Sequence, residues 1–150
     1  MAKSIILIPS RLAATRLPNK PLLKINNKTI ISHVYDKAIE SKIGDVWVAT
    51  CDKAISDEIK KNGGKSILTG NHHNTGTDRI AEALTKIDID NIDYVINLQG
   101  DEPLIDIDDI KNLNNQAVAN NSDLATLACE INPDEKDKYS NPNIVKVITK

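Results

Sequence analysis

Short aliphatic runs alternate along this chain with stretches whose apolar positions recur every three or four residues, and that alternation constrains the fold most. Residues 5–8, Ile-Ile-Leu-Ile closed by Pro9, read as a buried parallel strand: continuous, rich in β-branched side chains and stopped by a breaker. Residues 46–50, 66–68 and 94–98 read as three more strands, and 124–129 and 144–148 as further ones. Helical spacing predicts helices over 29–41, from Asp52 to the stop at Gly63-Gly64, from Thr77 to about Ile87, and over 106–120. Strands and helices in that order imply an α/β domain, a mostly parallel sheet with helices on both faces and right-handed crossovers. At 150 residues the chain fits one domain, 1–150. Ligands bind such sheets at the carboxyl ends of the strands. Three unusual loops lie there, at 10–20, 69–79 and 99–103.

Composition narrows the function. There is no Phe, aromatics make up only 3%, and net charge is −2, so the core is aliphatic and few rings are available for base stacking. Nucleic acid is therefore not an expected partner. No apolar run reaches the length of a membrane span, and the N-terminus carries no signal-peptide pattern, so a cytoplasmic protein without membrane contact is expected. Cys51 and Cys129 match no metal or redox spacing and are expected to be small, buried or half-buried thiols.

The first loop carries Arg11, Arg16 and Lys20 and no acid. Cations so close repel one another unless an anion sits between them; a polyphosphate would serve, and a merely solvated loop is the alternative. Arg11 and Arg16 can fork onto phosphate oxygens, while Lys20 adds a point charge. Neither G-x-x-x-x-G-K-[ST] nor G-x-G-x-x-G is present, so any nucleotide must be held by this loop. The second loop, Asn74-Thr75-Gly76-Thr77-Asp78-Arg79, ends at a helix start. Thr77 is its expected N-cap, Asp78 suits the helix dipole, and Arg79 calls for a partner, either an acid or a ligand. The third loop, Gln99-Gly100-Asp101-Glu102-Pro103, offers Asp101 as an oxygen ligand for Mg²⁺, with a plain turn as the alternative. His72 and His73 are adjacent and are expected to point apart as poor joint ligands; His33, within a helix, is expected to be structural.

Together S-R-L-A-A-T-R-L-P-N-K-P-L, T-G-T-D-R, Q-G-D-E-P and P-N-I-V-K-V, in order and spacing over 4–150, closely resemble the 3-deoxy-manno-octulosonate (Kdo) cytidylyltransferases. The resemblance implies a Rossmann-like nucleotidyltransferase fold and a Mg²⁺-dependent, cytoplasmic enzyme of lipopolysaccharide synthesis. It would join CTP and Kdo into CMP-Kdo and pyrophosphate. It further implies that Arg11, Arg16 and Lys20 bind the triphosphate, that Thr77, Arg79 and Gln99 lie at the nucleotide, that Asp101 ligates the metal, and that Lys20 and Asp101 are catalytic. Acylneuraminate cytidylyltransferases share the basic loop but fit the other motifs less well, and a non-catalytic nucleotide-binding remnant is a third reading. Members of the family are considerably longer. The resemblance therefore implies that the C-terminal portion is missing, and with it a second metal carboxylate, most Kdo contacts and the homodimer surface. A chain of this length is expected to bind nucleotide weakly and to be inactive alone.

Overall fold

The computed structural model describes residues 2–13 and 17–147. In chain order the elements are β1 (Ser4–Ser10), a 3₁₀ turn (Lys20–Leu22), β2 (Lys24–Ile25), β3 (Lys28–Thr29), α1 (Ile30–Glu40), β4 (Asp45–Thr50), α2 (Lys53–Lys61), β5 (Ser66–Leu68), α3 (Gly76–Lys86), β6 (Tyr94–Asn97), α4 (Ile107–Ala119) and α5 (Lys136–Ser140). Four strands form a sheet in the order β5-β4-β1-β6, every pair parallel. β1 is central and buried along its whole length.

Alternation along β1 builds two cores. Ile6 and Ile8 face one side and pack with Val46 and Val48 against Ile31, Val34 and Ala38 of α1, Ile55 and Ile59 of α2, and Ile110 of α4. Ile5 and Leu7 face the other side and meet Ile80 of α3 and Ile87 just beyond it. Helices thus cover both faces, three on one and one on the other. Each aliphatic side chain taken fully out of water contributes about 1.5–3 kcal/mol. A Pro in a central strand ordinarily costs a ladder bond. Here Leu7 accepts the Leu98 N–H at 3.0 Å, and Pro9, two residues on, faces the side where β6 has already ended.

Caps set the helix ends. Thr29 caps α1 by accepting the Ser32 N–H, and Asp106 caps α4 by accepting the Asp108 N–H. α2 stops at Gly63, whose φ is +79°. The hairpin β2–β3, not anticipated from the sequence, turns through Asn26 and Asn27, both left-handed at φ 50° and 66°, as a type I′ turn requires.

Two expectations fail. Residues 124–129 form no strand; they run beside β6 and α4 without joining the ladder. Residues 144–147 are likewise irregular, and Ile148 lies outside the described residues. An aliphatic sequence becomes a strand only where a neighbour supplies hydrogen bonds, and neither segment has one among the described residues. Cys51 is half-buried as expected, but Cys129, in the first of these segments, is exposed; both are free thiols. No helix among the described residues is long and apolar enough to cross a membrane.

Candidate active site

The carboxyl ends of β1, β5 and β6 open onto one cleft of about 320 Å³. Arg11, Lys20, Arg79, Gln99 and Asp101 all line it, so three loops distant in sequence converge. Gly100 eases that convergence: a Cβ there would stand 3.0 Å from the Pro9 carbonyl oxygen and 3.1 Å from Ile31 Cδ1, a tight fit that larger residues meet only if these neighbours shift by a few tenths of an ångström.

The first loop is tied at both ends. The Asp52 carboxylate accepts the Leu12 N–H at 2.8 Å, and Asn19 donates its own N–H to the Leu12 carbonyl at 3.2 Å. Asn19 is left-handed at φ 58°, and the 3₁₀ turn that follows starts with Lys20. Asp52 is thus the N-cap of α2 by position, but its side chain makes no capping bond there. Its work is to anchor the basic loop, a role its sequence context did not disclose. Arg11 is exposed at the cleft; Arg16 lies outside the described residues.

Lys20 Nζ donates to Asp101 Oδ2 at 2.7 Å, bridging the first and third loops. With the side chains 35% and 53% exposed, this pair is worth about 0–1 kcal/mol and exchanges readily for other partners. Gln99 donates from Nε2 to Asn97 Oδ1 at 3.0 Å.

The second loop differs from expectation. The N-cap of α3 is Thr75, not Thr77: Thr75 Oγ1 accepts the Asp78 N–H at 3.1 Å, and Asp78 Oδ2 accepts the Thr75 N–H at 3.2 Å. This is a capping box, and the signal T-x-x-D was present in the sequence two residues earlier than the expected cap. Thr77 falls inside the first turn, exposed and away from the cleft lining. The box satisfies the third amide of the helix; those of Gly76 and Thr77 have no intrahelical acceptor, which favours an anion at this end. Arg79 does find partners, but neither is an acid. The guanidinium is 3% exposed and donates from Nη1 to Thr69 Oγ1 at 2.6 Å and to the Gly70 carbonyl at 3.1 Å. It therefore holds the 69–70 backbone against α3 while adding a positive charge to the cleft wall.

Glu82 grips the same loop. Its carboxylate accepts the Gly70 N–H at 2.9 and 3.1 Å, pairs with Lys86 at 2.5 Å and contacts His73 Nε2. Lys86, then His73 and the Gly70 amide, lower its pKa from 4.5 to about 2. His73, Asn74 and Thr75 line the cleft although the sequence did not mark them as site residues. His33 is structural as expected, its Nε2 lying 2.9 Å from the Ile25 carbonyl. Among the described residues Asp101 is the one carboxylate in the cleft lining. That suits Mg²⁺ bound through one carboxylate and substrate phosphates better than a cage made only of protein.

Cations, helix-start amides and a carboxylate gathered at parallel strand tips suit a nucleoside polyphosphate, and the architecture is that of the α/β nucleotidyltransferases. A nucleotidyl transferase from Methanothermobacter shares the fold at a TM-score of 0.63, with 11% identity over 73% of this chain and 56% of that one. Sequence then fixes the family: the chain belongs to the cytidylyltransferases, matching them over residues 5–150. It is 44% identical over 149 residues to the 3-deoxy-manno-octulosonate cytidylyltransferase of Pseudoalteromonas atlantica, covering 95% of this chain and 56% of that protein. The enzyme of the same name from Francisella tularensis is 43% identical over 148 residues, 99% of this chain and 59% of its own length. In structure the chain resembles a CMP:2-keto-3-deoxy-manno-octonic acid synthetase complexed with CTP, at a TM-score of 0.76 and 41% identity over 81% of this chain and 49% of that one. The chain thus spans little more than half the length of these relatives.

Proposed function

We propose that the cleft binds CTP with Mg²⁺, and that this chain is the nucleotide-binding part of an enzyme transferring CMP from CTP to Kdo, giving CMP-Kdo and pyrophosphate. The observation that carries this reading is the Lys20–Asp101 bridge at the mouth of a cleft also lined by Arg11, Arg79 and Gln99. The names of the relatives support the choice of nucleotide and sugar acid.

Arg11, Arg16 and Lys20 receive the triphosphate, and Gln99 lies beside the nucleotide and sugar. Arg79 keeps the second loop, with the helix-start amide of Gly76, turned toward the phosphates. Asp101 would hold the metal, which when bound would supply positive charge to offset that of the phosphate oxygens. The Lys20 ammonium now neutralises Asp101; on loading it is free to move to the phosphates. The anomeric hydroxyl of Kdo attacks the α-phosphorus, the new O–P bond forms as the bond to the bridging oxygen breaks, and the hydroxyl proton passes to solvent. Such a transfer needs positioning and charge neutralisation rather than a covalent nucleophile. The sugar-acid contacts, a second metal carboxylate and the homodimer surface are assigned to the part of the relatives' length that this chain does not span.

Calorimetric titration with CTP, with and without Mg²⁺, tests the assignment. Mg²⁺ is expected to strengthen CTP binding, and Asp101→Asn to abolish that gain. Lys20→Ala is expected to weaken CTP binding about tenfold or more, as loss of a hydrogen bond to a charged group does. Identical CTP affinity with and without Mg²⁺ in the unmodified chain would overturn the role of Asp101.

A further inference from the structure

We propose that His72, His73 and Glu82 form a second cation site, for a divalent ion of the zinc class, on the rim of the cleft. The two histidines do not point apart as adjacency suggested. Their rings lie side by side, centroids 4.4 Å apart at 39°. One ring nitrogen from each and a carboxylate oxygen of Glu82 all lie within 4.8 Å of one another. Two imidazoles and a carboxylate, with a fourth position left for water, are a ligand set that zinc accepts. Tetrahedral zinc would hold these atoms roughly 3.4 Å apart, a rearrangement within reach of side-chain rotation in a loop.

Gly70 is the independent observation. Its φ is not left-handed, so the backbone does not demand glycine there. What glycine supplies is room: a Cβ would stand 2.5 Å from His72 Nδ1, 2.4 Å from His72 Cε1 and 3.3 Å from Glu82 Oε2. The imidazole is thus seated on the Gly70 α-carbon, beside the carboxylate. The Gly70 N–H in turn orients that carboxylate, as outer partners of metal ligands commonly do.

The two oxygens of Glu82 are divided. Lys86 pairs with Oε1, whereas His73 Nε2 meets Oε2. A metal ion entering between His73 and Oε2 would take the place of that contact and leave the lysine where it is. Nitrogen ligands of this kind discriminate against Mg²⁺, which takes oxygens in an octahedral shell, so this site and Asp101 sort different ions.

The experiment is a Co²⁺ titration of this chain followed by visible absorption, with circular dichroism to establish that each variant is folded. One equivalent of Co²⁺ is expected to bind, to be displaced by Zn²⁺ and to be unaffected by excess Mg²⁺. His73→Ala is expected to abolish binding. Gly70→Ala keeps all three ligand residues but displaces the His72 ring from its seat; it is expected to weaken binding on the order of tenfold. His72→Ala alters an exposed side chain and keeps the test valid should His73→Ala fail to fold. It is expected to weaken binding by at least as much, and Asp101→Asn to leave it unchanged. Absence of stoichiometric Co²⁺ binding, full binding in folded His72→Ala, or loss of binding in Asp101→Asn would each overturn the proposal.

Discussion

Residues 4–120 and 122–147 are written in similar residue types and end in different states. In the first region Ile6, Ile8, Val34 and Ile55 are wholly buried, and β1 has a ladder neighbour on each side. In the second, Leu124 is 89% and Val145 92% exposed, and no described residue joins a sheet. The difference is not apolar content but pairing. A strand sequence states a capacity to pair, and a neighbouring strand turns that capacity into structure. The candidate site follows the same division, since the whole lining of its cleft comes from residues 9–101.

The largest expected effect lies at the centre of the packed region. Ile8 is fully buried between β4 and the helices of the larger core. Ile8→Ala is expected to destabilise the fold by about 2–5 kcal/mol, through lost burial and the cavity left behind. Urea denaturation would show this as a lowered midpoint at unchanged slope. A loss below about 0.5 kcal/mol would mean that β1 is not the organising strand.

Why some features were legible and others not follows from how far each depends on distant residues. The four paired strands and the four long helices were readable because periodicity and end signals are local: Thr29, Asp106 and Gly63 act within a turn of their positions. That three loops converge was readable from topology, since parallel strands place their carboxyl ends together. The cap of α3 was misplaced although its signal was local, because Thr77 and Thr75 both suit the role and only the Thr75–Asp78 reciprocity decides between them. The anchoring by Asp52 and the clamp by Glu82 were not readable. Each spans 9 to 40 positions and depends on backbone amides, which sequence does not distinguish. The failed strands at 124–129 and 144–147 share that cause.

Acid sharpens the comparison with a smaller effect. Each region holds a carboxylate of lowered pKa. Glu82 is held by Lys86, His73 and the Gly70 amide, and so ties a distant loop to α3. Glu135 is held by Lys138, three residues away. A carboxyl whose folded pKa is lowered contributes stability above its unfolded value, and that contribution fades as pH falls toward the folded value. For Glu82 the window runs from 4.5 down to about 2. Glu82→Gln is expected to flatten the fall of Tm through that window, whereas Glu135→Gln is expected to leave it unchanged, because a local pair outside the sheet is not coupled to global unfolding. Equal flattening by both would mean that residues 122–147 unfold together with the sheet.

The smallest expected effect is the most direct test of the division. Leu124 is as apolar as the core residues and nearly as exposed as a residue can be. Leu124→Ser removes no buried area, so its cost is expected to stay within about 0.5 kcal/mol, as for surface substitutions generally. Native-state hydrogen exchange reads the same distinction without mutation. Amides of β1 and β4 are expected to exchange only on global unfolding, and those of residues 124–131, which make no ladder bonds, to exchange by local opening. Protection of 124–129 comparable to that of β1, or a Leu124→Ser cost approaching that of Ile8→Ala, would mean that this segment is paired in solution, with this chain or with another copy. The open side of β6 would be the place to look, since that strand has a ladder partner on one side only.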